Sequence, residues 1–326
     1  MKIKFDIIIP VYNGEFKLSK MINSIVEVRK NYDDFNVIIV NDGSEDNTLK
    51  ICKEYEKSYS FIKIINQKNS GPSIARKNGF KKSNGEYILF CDADDYMHPN
   101  ILEVLNEILI EKQTDIIEFG FNYLDENGKK LKSKILKEEN LDKEILKHYL
   151  IQKNTTNYLW NKVIKRNIID ESDFVKLYYS EDACALIKIF SRCKKYITIS
   201  DVLYNYVLSA QSACGSEFSE KHLDIVRADN IIYKFVSAKD SKYTYYVSAA
   251  ACSHAAILYV MLFDANFYNE NIKNKIINHF KKYYKILQHY KINFNEISYK
   301  RYISVKIFNI SPKIYYFALR KFIKRC

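Results

Sequence analysis

The chain has 326 residues, 47% apolar and 28% charged, which excludes intrinsic disorder and suffices for one domain of about 200 residues plus a smaller region. Its seven cysteines, an odd number, are scattered from Cys52 to Cys326 with no Cys-x-x-Cys pair and no secretory leader, which argues against disulfides and a zinc knuckle and for a reducing cytosol. The net charge of +12 belongs to the end of the chain: residues 271–326 hold fourteen Lys or Arg against one acid, Glu296, and the rest is close to neutral.

Residues 5–11, Phe-Asp-Ile-Ile-Ile-Pro-Val, are an apolar run too short for a helix and predict a buried strand ending at Pro10. Tyr12-Asn13-Gly14 reads as a turn, and residues 15–30 as a helix with Phe16, Met21, Ile22, Ile25 and Val26 on one apolar face. A second buried strand, Asn36 to Val40, runs into Asn41-Asp42-Gly43-Ser44. A helix over 45–57, a strand over 61–66, a helix opened by Gly71-Pro72-Ser73 and a strand over 86–91 continue the alternation. The βαβαβαβ order predicts a parallel sheet with right-handed crossovers and all strand tips on one edge. Ligands of such sheets bind outside the carboxyl ends of the strands, so Pro10 to Asn13, Asp42 to Ser44, Ser70 to Arg76 and Asp92 to Asp95 converge on one crevice.

The last of these tips is the richest in chemistry. Asp92, Asp94 and Asp95 follow an apolar strand in which Cys91 is a small core residue. Carboxylates clustered without His or Cys select a hard divalent cation, Mg2+ or Mn2+, that keeps positions open for phosphate oxygens. The plainer reading is that Asp95, just ahead of Pro99, caps a helix over 99–111. Beyond it, Asn127-Gly128 predicts a hairpin turn, and Glu181-Asp182 precedes an amphipathic run from Ala183 to Phe190. No Walker motif, Gly-x-Gly-x-x-Gly or internal repeat is present.

Two C-terminal stretches invite a membrane reading. Tyr243 to Phe263 has no Asp, Glu, Lys or Arg and the length of a membrane span, yet Thr244, Ser248, Ser253, His254 and its many Ala residues point to a buried helix with His254 as a satisfied core histidine. Ser311-Pro312 precedes Lys313 to Cys326, where Ile314, Phe317, Ala318, Phe322 and Ile323 share a helix with Arg320, Lys321, Lys324 and Arg325. Basic amphipathic helices lie on anionic membrane surfaces and gain about 1 kcal/mol per charge there. An ordinary solvated lysine face is the bland alternative, and no nucleic-acid-binding motif accompanies the charge.

Pro10-Val11-Tyr12-Asn13, Val40-Asn41-Asp42-Gly43-Ser44, Gly71-Pro72-Ser73-Ile74-Ala75-Arg76 and Asp92-Ala93-Asp94-Asp95, in this order and at these intervals, resemble the family 2 glycosyltransferases of the GT-A fold. The resemblance is specific over residues 3–110 and looser to 213, where Leu159-Trp160-Asn161-Lys162, Ser180-Glu181-Asp182 and Leu203-Tyr204-Asn205-Tyr206 echo the family's second half. It implies a doubly wound, mostly parallel α/β GT-A domain over 1–213, with a nucleotide-binding half (1–110) and an acceptor half (111–213), followed by a helical basic region over 214–326. It also implies an inverting enzyme that moves a hexose or N-acetylhexosamine from a UDP-sugar to a hydroxyl of a glycan, lipid-linked in capsule, O-antigen or lipooligosaccharide synthesis. Such an enzyme sits in the cytoplasm, peripheral on the inner face of the cell membrane.

Carried over residue by residue, Asp94 is the metal carboxylate, Asp92 lies beside the ribose and Asp42 accepts a hydrogen bond from uracil, with Pro10, Val11 and Tyr12 walling the base. Asn13, Gly71 and Ala93 belong to the same nucleotide-sugar surface, Arg76 approaches the nucleotide or its phosphates, and Asp95 faces acceptor or donor hydroxyls. Transfer to an alcohol needs a base, and of the acid pair Glu181 and Asp182 the latter is expected to supply it. Trp160 either stacks on an acceptor sugar or is a buried aromatic, and Lys162 either nears the diphosphate or is a surface lysine.

Two departures stand out. Lys77 occupies the family's usual Asn position after Arg76, and Val207 and Leu208 replace the usual basic residue after Tyr206, leaving Ser209 and Ser212 for lid contacts. A nucleotidyltransferase of similar build is the main alternative, but Tyr12-Asn13-Gly14-Glu15 is not the Gly-rich basic phosphate loop it would carry. An inactive scaffold is the other, and intact Asp94 and Asp182 argue against it.

Overall fold

The structure, a computed structural model, describes residues 2–152, 154–208, 218–265, 269–290 and 296–323, with residues 321–323 as backbone only. Ser209 and Ser212, and the side chains of Lys321, Phe322, Ile323, Lys324 and Arg325, therefore lie outside the described residues. The chain divides into two compact units, Met1–Ser212 and Ala213–Cys326.

The first half of the first unit alternates β1 (Phe5–Val11), α1 (Leu18–Asn31), β2 (Phe35–Asp42), α2 (Thr48–Ser58), β3 (Ile62–Gln67), α3 (Pro72–Lys82) and β4 (Tyr87–Phe90). The strands pair in parallel in the order β3-β2-β1-β4. With helices on both faces, every residue of β1 is buried, which is why it reads as continuous apolar sequence rather than as an alternation. Two local expectations need correction. Pro10 does not end β1, which pairs with β2 as far as Val11↔Asn41; pairing with β4 has already stopped at Ile8↔Phe90, so one flank of the strand has no ladder for a missing N–H to break. Phe16, expected on the buried face of α1, is 91% exposed, because the Gly14 carbonyl accepts from Lys17 N and Leu18 N and the helix starts two residues later.

The second half holds β5 (Tyr96–Met97), α4 (Ile101–Lys112), β6 (Ile116–Leu124), β7 (Lys130–Lys134), β8 (Glu139–Leu141), α5 (Ile145–Ile151), β9 (Lys162–Lys165), α6 (Glu181–Phe190) and β10 (Tyr196–Val207). These strands extend the same sheet as β4-β9-β6-β10-β5, with β9 antiparallel to both β4 and β6. The sheet is thus parallel from β1 to β4 and mixed beyond them. β6 and β7 form the hairpin predicted at Asn127-Gly128, where Gly128 adopts φ +82°.

The second unit is helical: α7 (Asp224–Lys239), α8 (Thr244–Asp264), α9 (Glu270–Leu287), α10 (Tyr299–Ile310) and α11 (Pro312–Ile323). The stretch Ser241–Asp264 is long and apolar enough to cross a membrane, but 61% of its apolar window is buried inside the protein, as a core helix would be. Buried Asp229 on α7 accepts hydrogen bonds from His254 Nδ1 on α8 (2.8 Å) and His279 Nε2 on α9 (2.9 Å), tying three helices together. Burial works against the Asp229 charge, yet the two imidazoles outweigh it and hold the carboxyl below its usual range.

The helix α3 lies close on the sheet because Gly79 faces β1 and β2: a Cβ there would meet Ile8 Cγ2 at 2.4 Å and Val40 Cγ2 at 3.2 Å. Gly79→Val is expected to lower the unfolding free energy by about 1–3 kcal/mol through overpacking, read from the denaturation midpoint in urea. Unchanged stability would mean that α3 has room to lift.

Candidate active site

The tips of β1 and β2 are braced to each other. Asn13, at φ 48°, donates its N–H to Ser44 Oγ (3.0 Å), and its Oδ1 accepts from Glu45 N (2.9 Å). Gly14 N donates to Thr48 Oγ1 at 2.7 Å. Pro10 and Val11 are buried in β1, so of the residues expected to wall a base only Tyr12 presents an exposed ring.

Asp42, at the tip of β2, is buried and already engaged. Its Oδ1 accepts from Gln67 Nε2 (2.7 Å) and Ser70 N (2.8 Å), and its Oδ2 from Gly71 N (2.8 Å). Gln67 is oriented in turn by Asn78 Nδ2 at 2.7 Å. Gln67 and Asn78 escaped the sequence reading. Gly71 adopts φ 89° and ψ 161°, a conformation nearly confined to glycine, and among the described residues a Cβ there would meet nothing within 4 Å.

One turn into α3, Arg76 is buried and bridges three carboxylates. Its Nη2 donates to Asp92 Oδ1 (2.9 Å), and its Nη1 to Asp182 Oδ1 (2.8 Å) and Glu181 Oε1 (3.1 Å). Burial opposes the guanidinium charge, but Asp182, Asp92 and Glu181 outweigh it and hold its pKa above the ordinary value. Burial, then the neighbouring Asp182, pushes Glu181 up to about 7. Asp182 is also raised by burial, against the pull of Arg76, and its Oδ2 accepts from Leu159 N at 3.2 Å.

Asp94 lies on the turn after β4, with Ala93 half-buried beside it and Lys17 Nζ at 3.7 Å. Burial and then Asp92 raise its pKa, so the turn carries more negative charge than the protein neutralises. Among the described residues no three His, Cys, Asp or Glu form a metal cage. Asp94 fits a hard cation that takes most of its ligands from elsewhere, as Mg2+ does when it bridges phosphate oxygens. Asp95 is fully buried, and its Oδ1 accepts from Val207 N (2.8 Å). It does not cap α4, whose N-cap is Asn100; it anchors the end of β10 instead. Burial, then Asp92 and Asp94, raises its pKa well above the usual carboxylate range, and its Oδ2 has no partner among the described residues.

Trp160 is buried, stacked on Tyr158, Tyr204 and Tyr206 at centroid distances of 4.7, 4.9 and 5.1 Å, and so is a core aromatic rather than a sugar platform. Tyr204 Oη accepts from Asp92 N (3.1 Å), so this stack also backs the aspartate turn. Lys162 is neither a surface lysine nor free to reach a diphosphate: it is fully buried, with Nζ 3.2 Å from Glu118.

Residues 6–172 match the profile of glycosyl transferase family 2. The chain belongs to this family. Among relatives of this family 2 glycosyltransferase is the uncharacterized glycosyltransferase EpsJ of Bacillus subtilis, 27% identical over 78% of this chain and 74% of its own. The cholesterol galactosyltransferase of Borreliella burgdorferi is 31% identical over 62% of this chain and 60% of its own. Other relatives are longer still: the chain spans 30% of the glycosyltransferase GlyA of Streptococcus pneumoniae. The fold is like that of S. aureus TarS 1–349, solved in complex with UDP, at a TM-score of 0.59 and 17% identity over 89% of this chain and 94% of that one. That likeness identifies the architecture as GT-A.

Replacing Arg76 leaves its carboxylates without their cation in a buried setting. Arg76→Met is expected to cost about 3–5 kcal/mol in a urea melt at neutral pH. The loss should shrink as the pH falls and the carboxyls protonate; a pH-independent loss would point to packing instead.

Proposed function

We propose that the protein is an inverting glycosyltransferase that moves a hexose or N-acetylhexosamine from a UDP-sugar to a hydroxyl of a glycan acceptor, with Asp182 as base. The observation that carries this reading is the Arg76 bridge, which holds the donor-side carboxylate Asp92 and the acid pair Glu181–Asp182 within one side chain's reach. The UDP donor is supported by TarS, whose structures were solved with UDP and with UDP-GlcNAc. The acceptor hydroxyl gives its proton to Asp182 while its oxygen bonds to the anomeric carbon from the face opposite the diphosphate. The anomeric C–O bond breaks, and UDP leaves with the electron pair. Asp182 is held on two sides, by Arg76 and by Leu159 N, which fixes its direction while leaving lone pairs for the incoming proton.

The family generally uses a divalent cation. In this chain Asp94 would hold Mn2+ or Mg2+, which when bound neutralises charge developing on the leaving diphosphate. Lys17 and the N-terminal end of the α3 helix dipole add positive potential at the same edge. Asp42 keeps acceptor capacity on Oδ2 for uracil and ties that recognition to the α3 entry loop, and Tyr12 offers its exposed ring to the base.

The acceptor is proposed to be lipid-linked and the enzyme cytoplasmic, peripheral on an anionic membrane. Support comes from the second unit, where Ile310, Ile314 and Phe317 are 78%, 58% and 68% exposed beside Lys313 and Arg320. Exposed apolar side chains on a helix that also carries basic ones suit a lipid headgroup boundary, even though Arg320 is paired with Asp264.

Two substitutions separate the chemical roles. Asp94→Asn is expected to abolish Mn2+-dependent UDP binding in calorimetry. Asp182→Asn should bind UDP-sugar normally yet lose transfer by a factor on the order of 10^2 to 10^4. In the wild type the rate should fall on acidification, at a higher pH than an ordinary aspartate would give, because Asp182 must be ionised to accept a proton and burial raises its pKa. If Glu181→Gln is the dead variant and Asp182→Asn the active one, the base is Glu181; a product retaining donor stereochemistry rejects the single displacement.

Truncation before Pro312 should release the protein from anionic liposomes and slow transfer to a lipid-linked acceptor, with transfer to a soluble acceptor nearly unchanged. High salt should reproduce part of this loss by screening the basic residues. Equal liposome sedimentation of both forms would make the tail an ordinary packing element.

A further inference from the structure

Behind the acid pair lies a polar cluster that the transfer reaction does not call on directly. Glu118, on β6, and Lys162, at the start of β9, are both fully buried. Glu118 Oε1 accepts from Thr156 N (2.8 Å), Thr156 Oγ1 (2.9 Å) and Asn161 Nδ2 (3.2 Å), and its Oε2 from Thr155 Oγ1 (2.7 Å) and Tyr196 Oη (2.6 Å). Lys162 Nζ donates to the carbonyls of Thr156 (2.9 Å) and Tyr158 (2.8 Å) and to Asn161 Oδ1 (3.0 Å). Every one of these bonds from Thr155 to Asn161 grips the loop that contains Leu159, whose N–H holds Asp182. A buried ion pair is a costly way to fix a loop, since desolvation takes several kcal/mol per ion and apolar residues of like volume are often as stable. Such a pair is informative when it sits beside a reacting group.

We propose that Lys162, anchored by Glu118, is a positioning residue for transfer: it clamps the chain ahead of Leu159 so that the Leu159 amide presents the Asp182 carboxylate to the acceptor hydroxyl. This rests on the reading of Asp182 as base. Lys162 acts in two ways. Its hydrogen bonds to the carbonyls of Thr156 and Tyr158, the second belonging to the same peptide group as the Leu159 N–H, set where that N–H points. Its ammonium also lies near enough to Asp182 to favour the ionised carboxylate, the form that accepts a proton. The other groups facing Asp182 are Arg76 on α3, Asp92 at the tip of β4, Glu181 beside it on α6 and the Tyr149 hydroxyl on α5. Arg76 and Lys162 are the cations of that set, and only Lys162 also holds the loop.

The test uses the full-length protein, a soluble acceptor and two variants. Lys162→Met removes the ammonium but leaves Glu118 buried alone; Glu118→Gln/Lys162→Met removes the pair together and so leaves no uncompensated buried charge. Both, where folded, should bind UDP with Mn2+ as the wild type does and keep its KM for the donor. kcat at pH 7 should drop by about 10- to 100-fold, as misplacement of a reacting group does. The acid limb of the rate profile should move to higher pH by about one pH unit, so that activity partly returns under alkaline conditions. A folded double variant with unchanged kcat and an unmoved limb overturns the proposal, and so does failure of both variants to fold, which would assign the pair to folding alone. Asp182→Asn in the wild-type background separates the two ideas. Full transfer by that variant removes the base assignment itself, whereas a dead Asp182→Asn with an unmoved limb in the Lys162 variants removes only the positioning role.

Discussion

A guanidinium as deeply buried as that of Arg76 is stable only if it is matched, because stripping water from a cation costs several kcal/mol. Asp92, Glu181 and Asp182 provide the match, and they come from opposite halves of the first unit. The parallel half delivers Arg76 on α3 and Asp92 at the end of β4; the mixed half delivers the acid pair on α6. β9, antiparallel between β4 and β6, is the seam in the sheet that lets the two halves meet there. The geometry of the site is therefore set by an electrostatic balance, and the surrounding hydrogen bonds refine it: Leu159 N on Asp182, Tyr204 Oη on Asp92 N and Val207 N on Asp95.

That balance also sorts the carboxylates by proton affinity. Asp94, half-exposed and beside Asp92, is left with charge that the protein does not cancel, whereas Glu181 and Asp182 share Arg76 and burial. One cluster thus holds a group suited to a cation and a group suited to a proton, separated by an arginine that serves neither function itself.

The strand tips were legible in the sequence because a strand buried on both faces is written as a continuous apolar run, and the polar residues that end it must lie at the sheet edge. What binds those tips together was not. Arg76 meets Glu181 across 105 positions and Asp182 across 106, and no local pattern announces a contact of that span. Lys162 misled for a related reason: a lysine is read as exposed unless its counter-ion is known, and Glu118 lies far upstream, on another strand of the sheet. Phe16 misled because helical spacing can be continued past the point where Gly14 turns the backbone into α1. The neutral composition around His254 did announce a buried helix, but not the Asp229 carboxylate that satisfies it.

The helix α3 is held at both ends of its working length. Asp42 grips the amides at its entry, and at Gly79 its backbone rests against Ile8 with no space for even a methyl group. A rod fixed at two points neither slides nor tilts, so Arg76 has the freedom of its own side chain and nothing more. The part of the first unit that carries α3 is then a rigid anvil, and any adjustment of the site has to come from elements that are not pinned in this way.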